Sequence, residues 1–286
     1  MTTRDLYNRC YRVRFNDLVF DSTVDGETLQ CVFEVQKTLY SMANTGSVTL
    51  YNLNESHRTE LARLRQSRRR IRVEIWAGYG TDPPLLFVGD LRQFEDMGEG
   101  TETTTKVSGV DGGYKITDQR WSRTYPAGVD VRVPVRDLVR ALSLGDGNLN
   151  EVGALQLGNY TTLPRPKSFH GLASASLTAF LRGLGYTWSI QNGAVQILRN
   201  GATLQRTGVR LSPGTGLIEA HYVDRRTVRI VSFLIPEIAP GYRITVDSQR
   251  VSGDFRVHSV KYSGDSFGGD WTCEVECRIP RPITPY

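Results

Sequence analysis

A short run of amides and acids, Asp146-x-Asn148-x-Asn150, opens like a calcium loop, in which oxygens at alternate positions wrap a hard cation. Glu151 then stands where the turn-making glycine belongs and Leu157 where the bidentate glutamate belongs, so the run reads as a polar turn. Gly78-x-Gly80 is followed by Pro83 in place of the third glycine of a dinucleotide fingerprint, and no P-loop motif is present, which removes a phosphate-cradling loop. His57, His170, His221 and His258 lie far apart, and none belongs to a zinc-protease pair or accompanies a nucleophile elbow. Asp90 and Asp254 are the best-matched carboxylates; each follows a glycine, a placement that favours a turn role over acid–base work. The expectation is a chain with no catalytic residue, no metal ligand and no cofactor.

The four cysteines are equally uncommitted to chemistry. In Trp271-Thr272-Cys273-Glu274-Val275-Glu276-Cys277-Arg278-Ile279, alternation puts Trp271, Cys273, Val275, Cys277 and Ile279 on one strand face. Four residues of strand span about 13 Å, beyond the ~7 Å reach of a disulfide, so Cys273 and Cys277 cannot bond to each other. A Cys10–Cys31 bridge would need the fold to bring two strands together, and nothing around Arg4, Arg9, Arg12 and Arg14 reads as a secretion signal; reduced, buried thiols are expected. Positive charge is almost all arginine, 30 Arg against 5 Lys, offset by 30 Asp and Glu for a net +5. Interleaving of the two signs speaks against a continuous basic face. The exception is Arg63, Arg65, Arg68, Arg69, Arg70 and Arg72, a cluster fit for nucleic acid or for an acidic protein neighbour.

The elements that must carry these residues are those of an ordinary globular chain of 286 residues, 39% hydrophobic and 23% charged, long enough for two or three domains. Its sequence has no run of the ~18 apolar residues a membrane span needs, so no membrane insertion is expected. Tyr11, Val13 and Phe15, then Cys31, Phe33 and Val35, then Ile71, Val73 and Ile75 each alternate as half-buried strands. Between them Asn54–Leu64 reads as a helix capped by Asn54 or Ser56, with Leu61 and Leu64 inward. Further strands are expected at Leu85–Val88, Leu91–Glu95 and Thr103–Val110, separated by Gly and Pro turns.

Texture changes after Asp111-Gly112-Gly113. Pro134 suits the first turn of a helix carrying Leu138, Val139 and Leu142, and Leu177, Phe180, Leu181 and Leu184 recur at helical spacing before Gly185. Tyr186–Ile190 and Ala194–Leu198 flank Asn192-Gly193, a strong hairpin signal. Residues 112–205 thus read as a small α+β unit, with Trp121 in an arginine-flanked loop. The last third returns to strands at Leu217–Tyr222, Thr227–Leu234, Tyr242–Val246, Asp254–Tyr262 and Trp271–Ile279. Gly89-Asp90-Leu91-Arg92 and Gly253-Asp254-Phe255-Arg256 each lead into a strand, a glycine-containing turn and a second strand, a weak internal repeat. Residues 1–111 and 206–286 are therefore read as two copies of one antiparallel barrel or sandwich. Trp188 and Trp271 belong to the core, whereas Trp76 alternates outward beside Tyr79.

Three stretches carry a resemblance. They are Asn44-Thr45-Gly46-Ser47-Val48-Thr49-Leu50-Tyr51-Asn52-Leu53-Asn54; Val73-Glu74-Ile75-Trp76-Ala77-Gly78-Tyr79 with Leu86-Phe87-Val88-Gly89-Asp90; and Gly253-Asp254-Phe255-Arg256-Val257-His258-Ser259-Val260 with Gly264-Asp265 and Trp271-Thr272. Together they resemble the baseplate hub proteins of contractile-tailed bacteriophages, related to phage late control D proteins and to the hub part of type VI secretion spikes. The likeness covers residues 1–111 and 205–286, and the middle only in its helix-then-hairpin order.

The resemblance implies a mainly β chain with two tail-tube-like domains separated by the α+β insert. It further implies a non-enzymatic virion protein, assembled in the host cytoplasm as a homotrimer that joins the sixfold tail tube to the central spike. Its partners would be the tail tube protein and the central spike protein, with baseplate wedge or tape-measure proteins besides, and no specific nucleic acid. The competing reading is a cell-wall-degrading or nucleic-acid-binding β-barrel. Residues chosen as candidate interface are Tyr40, Met42 and Asn44 in the Leu39–Gly46 loop, Arg68, Arg70, Trp76 and Tyr79 around the basic cluster, and Trp121 in the insert.

Overall fold

A computed structural model of the chain describes residues 8–24, 28–40, 43–66, 70–99, 102–113, 115–150 and 161–280. Alternation in the first third becomes β1 (Arg9–Phe15), β2 (Leu18–Asp21), β3 (Cys31–Thr38), β4 (Thr45–Tyr51), β5 (Arg72–Tyr79), β6 (Leu85–Glu99) and β7 (Glu102–Val110), with helix α1 (Glu55–Gln66) between β4 and β5. Tyr11, Val13 and Phe15 of β1 and Cys31, Phe33 and Val35 of β3 are buried on one face, as period-2 patterning requires. Asn54 caps α1, its Oδ1 accepting the His57 N–H at 2.8 Å, and Leu61 anchors the helix in the core.

The middle of the chain builds α2 (Lys115–Asp118), β8 (Arg120–Tyr125), α3 (Arg132–Ala141), β9 (Lys167–Leu172), α4 (Ala173–Gly183), β10 (Tyr186–Gln191) and β11 (Ala194–Arg199). Leu138 and Val139 of α3 pack with Leu177 and Leu181 of α4 and with Trp188, Ile190, Val195 and Ile197 into a core of their own. Asn192 and Gly193 turn the β10–β11 hairpin at φ 54° and 81°, both left-handed, as a two-residue primed turn demands. Asn148 spends its side chain on Ile197, donating to its carbonyl and accepting its N–H at 2.8 Å each, so the run that opens like a calcium loop is a staple on β11. Trp121 is not in a loop: it lies on β8, opposite Gly171 of β9. Alternation does not mark β8 because Arg123 interrupts its inward face between Trp121 and Tyr125.

The last third forms β12 (Leu204–Leu211), β13 (Leu217–Tyr222), β14 (Thr227–Phe233), β15 (Tyr242–Asp247), β16 (Ser252–Asp265) and β17 (Trp271–Arg278). Among the described residues, thirteen strands join in one sheet, ordered β13-β14-β17-β16-β3-β4-β7-β6-β5-β1-β2, with β15 and then β12 branching from β16. The order is open-ended, so the barrel half of the barrel-or-sandwich expectation is corrected: no closed barrel forms. One apolar core runs beneath this sheet, from Tyr11 and Phe33 to Phe255 and Trp271.

Read outward from β3, the strand order β3-β4-β7-β6-β5-β1 matches β13-β14-β17-β16-β15-β12. In each series one long strand changes partner midway. Asp90 of β6 is the last residue paired to β5 and the first paired to β7, and Arg256 of β16 does the same between β15 and β17. Here the sequence expectation of separate strands at Leu85–Val88 and Leu91–Glu95 is corrected, together with the turn role of Asp90 and Asp254. Both aspartates lie inside long strands. Gly89 is a close-approach glycine: a Cβ there would sit 2.8 Å from the Val110 backbone and 2.5 Å from the Phe87 ring.

Cys10, Cys31, Cys273 and Cys277 are all free and buried. Burial pushes the Cys10 thiol up to about 11 and Cys273 to about 12, and raises Cys31 and Cys277 as well. The expected result is no reaction with a thiol reagent in the native state and four reactive thiols after unfolding without reductant. Two thiols in that assay would overturn the assignment.

Candidate assembly surfaces

Polar and charged side chains gather at three places in the chain. The first is internal. Asp111, fully buried at the end of β7, accepts the N–H groups of Asn192 at 2.7 Å and Gly193 at 2.8 Å, which ties the β10–β11 turn to the large sheet. Asn44 completes the joint: its Oδ1 accepts the Thr38 N–H at 2.9 Å and its amide donates to the Ile190 carbonyl at 2.6 Å. Burial raises the Asp111 carboxyl above its ordinary range against the pull of these amides and of Lys37. The same dry surroundings press Lys37 down to about 8, partly offset by Asp111. Asn44, 1% exposed, is thus committed within the chain, and its expected place on an outer interface is corrected.

The second is a basic cleft of about 760 Å³ where the end of β3, the β13–β14 turn and the start of β16 meet. Arg225, Arg226, Arg256 and Arg278 line it, together with Tyr40 and His258. Asp224 in the same wall is spent on the turn, accepting the Arg226 N–H at 2.7 Å and the Thr227 N–H at 2.8 Å. Tyr40 is exposed, and its hydroxyl meets His258 Nε2 at 2.8 Å. Burial, then Arg278 and Arg256, push His258 down to about 4.

That shift has a stability consequence whose sign follows from proton counting. Between pH 6.5 and about 4 the unfolded imidazole binds a proton that the folded one refuses, so its contribution is complete above pH 6.5 and is lost as pH falls towards 4. With His258 only 7% exposed, the loss is about 3 kcal/mol. Urea unfolding at pH 7 and pH 4 should show the parent losing about that much more than a His258→Gln variant. Parallel losses would remove His258 as the cause.

The third place is the outer rim. Arg63, Arg65 and Arg70 are each exposed, while Met42 and Arg68 lie outside the described residues. Of this cluster Arg72 is ion-paired, holding Glu74 at 2.8 Å, and Arg58, earlier on α1, holds Asp96 at 3.0 Å. Trp76 is half-buried with the Arg14 guanidinium 5.4 Å from its ring centre. Tyr79, also half-buried, turns its hydroxyl to the Leu234 backbone, and burial pushes it up to about 12. Trp121 is half-buried against the core of the insert. Sequence reasoning missed several strongly exposed apolar groups: Phe267 before β17, Ile218, Tyr222 and Val223 on or beside β13, and Met97 on β6. Adjacent apolar residues at 222 and 223, directly before the Asp224 turn, were the available signal.

No family model matches the sequence, and no curated protein matches it. Solved structures do. The 43 kDa tail protein of prophage MuSo2 from Shewanella oneidensis is similar at a TM-score of 0.64 and 9% identity, covering 96% of this chain and 97% of that one. The tail protein of Neisseria meningitidis MC58 is similar at 0.63 and 10%, with the same coverages. An E. coli type VI secretion component, c3393, described as similar in structure to the T4 phage tail proteins gp27 and gp5, matches at 0.55 and 13% over 95% of this chain and 77% of that one. Over nearly its whole length, therefore, this chain has the fold of phage tail proteins and of a type VI secretion component.

Proposed function

We propose that the chain is a structural baseplate hub or tube initiator of a phage tail, a non-enzymatic homotrimer joining the sixfold tail tube to the threefold central spike. The observation that carries this reading is the strand order written twice in one chain, β3-β4-β7-β6-β5-β1 and β13-β14-β17-β16-β15-β12. Residues 1–111 and 206–286 act as two tube-like units and 112–205 as the insert between them. Two units per chain match a sixfold ring when three chains close around one axis, and a cyclic ring pairs one surface of each chain with a different surface of the next. Likeness to tail proteins over nearly the full length, and to a type VI secretion component, supports the same reading. Its partners are the tube protein and the spike protein, with baseplate wedge or tape-measure proteins as further candidates. Native mass spectrometry of the purified chain should show three copies; one, two or six would sink the reading.

A further inference from the structure

The basic cleft gathers more positive charge than the chain itself offsets. Its charged walls hold four arginines against Asp224, whose carboxylate is already taken by the Arg226 and Thr227 amides. Arg225 and Arg226 are exposed, and among the described residues no carboxylate pairs with either. Arg278 reaches Glu276 only at 3.6 Å, and Arg256 donates to the Ala202 carbonyl at 3.2 Å. Like charges gathered in this way repel one another, and an anion seated among them relieves the repulsion. The supports of these groups are stiff. The Arg226 carbonyl accepts the Ile279 N–H at 3.0 Å, which fastens the β13–β14 turn to the end of β17. Across the cleft His258 fixes Tyr40, Nε2 meeting the hydroxyl at 2.8 Å and the two rings lying 4.7 Å apart. Its Nδ1 is buried with no hydrogen-bond partner among the described residues. A site assembled before its ligand arrives loses less entropy on binding.

The lining also discriminates among anions. A volume of about 760 Å³ falls within the roughly 300–1,000 Å³ of ligand pockets and is far more than one phosphate or one carboxylate fills. Apolar groups share the wall with the cations: Tyr40 is 49% and Ile279 44% exposed. A single-stranded nucleic acid calls for successive aromatic platforms. Among the described residues Tyr40 is the one phenylalanine, tyrosine or tryptophan in this wall, and His258 already packs against its ring. Carboxylates presented beside apolar side chains match the cleft better. The planar guanidinium holds a carboxylate through two parallel hydrogen bonds, while Tyr40 and Ile279 receive the apolar neighbour.

We propose that this cleft is a docking site for an acidic peptide segment of another protein, one that alternates carboxylate and apolar side chains. Arg225, Arg226 and Arg278 take the carboxylates, and Tyr40 and Ile279 the apolar groups between them. The wall draws on the end of β3, on Asn200 and Gly201 after β11, and on the β13–β14 turn. A bound segment therefore also clamps the insert against both strand series. The site stands apart from the hub reading and does not depend on the number of copies in the assembly.

The test is fluorescence anisotropy of the full chain with a labelled synthetic hexapeptide of alternating glutamate and leucine, at one near-physiological salt concentration. Binding at least about tenfold tighter than that of the matched glutamine–leucine peptide is the expected result. The Arg225→Ser/Arg226→Ser double variant is altered at exposed side chains and keeps the turn amides. It should retain the parent's thermal unfolding and lose at least about tenfold in peptide affinity. Arg210→Ser, outside the cleft and paired with Asp247, should bind as the parent does. No peptide binding, or an equal loss in Arg210→Ser, would overturn the site. Displacement by inorganic phosphate at the peptide's own concentration would make it a free-anion pocket. Tighter binding of a labelled oligothymidylate, lost in the same double variant, would assign it to nucleic acid; either result overturns the peptide assignment. In an NMR titration, peptide at saturation should raise the His258 imidazole from about 4, because bound carboxylates offset Arg278 and Arg256. An unmoved His258 would place the peptide elsewhere on the chain.

Discussion

Replacing Asp111 by alanine is expected to lower the unfolding free energy by about 3–5 kcal/mol, read as a shift of the urea midpoint. The carboxylate is fully buried and accepts two turn amides, from Asn192 and Gly193, and lies near Lys37. Alanine leaves both N–H groups without an acceptor in a dry site, at about 1–3 kcal/mol each. It also leaves the buried Lys37 without the anion that helps keep its charge. The damage should be local first: amide exchange across Tyr186–Arg199 should rise before exchange in β3 or β4. Asp111→Asn retains one acceptor oxygen and should lose about half as much. A loss below about 1 kcal/mol for the alanine variant would mean that apolar packing alone holds the insert to the sheet.

The second large effect is expected at the seam where β16 pairs with β3. A Cβ built on Gly264 of β16 would lie 2.5 Å from the Phe33 ring and 2.7 Å from the ring of Trp271. Those two side chains are buried and meet edge to face at 5.2 Å, so neither can withdraw without opening the shared core. Gly264→Val should therefore cost about 3 kcal/mol, at the upper end for overpacking. Gly268 supplies the contrast, since a Cβ there meets nothing within 4 Å. Gly268→Ala should unfold within ~0.5 kcal/mol of the parent. Equal melting of the two variants would show that the seam yields, and that its glycine is not required by close approach.

What could be seen in the sequence was what neighbours decide. β13 and the β10–β11 hairpin were legible because alternation and the Asn192-Gly193 turn are local properties, and the Asn54 cap likewise. Gly89-Asp90 misled because glycine serves both turns and close approaches; only the Val110 backbone beside it decides between them. The β8–β9 pairing was missed because polar Arg120, Ser122, Arg123 and Thr124 find their partner strand beyond α3. Asn44 was chosen for an outer interface, and its burial could not be read locally because its partner carbonyl on Ile190 arrives from a distant hairpin. The cleft gathers Tyr40, Arg225, Arg256 and Arg278 from four separate elements, and no spacing rule joins them.

Because Thr38 and Val32 of β3 pair with Ser259 and Asp265, this strand leaves the ribosome long before its partner exists. At roughly 5–20 residues per second, the wait is on the order of ten to forty seconds. Throughout it β3 presents an open edge next to Phe33 and Val35, the kind of segment that recruits other nascent chains. Glu34, Gln36 and Lys37 lie within that edge and work as gatekeepers during synthesis. Later they have other neighbours: Glu34 pairs with Lys261, and Lys37 is shut away near Asp111. The lysine that is costly to bury in the finished protein is thus also a charge that interrupts this apolar edge before its partner strand exists.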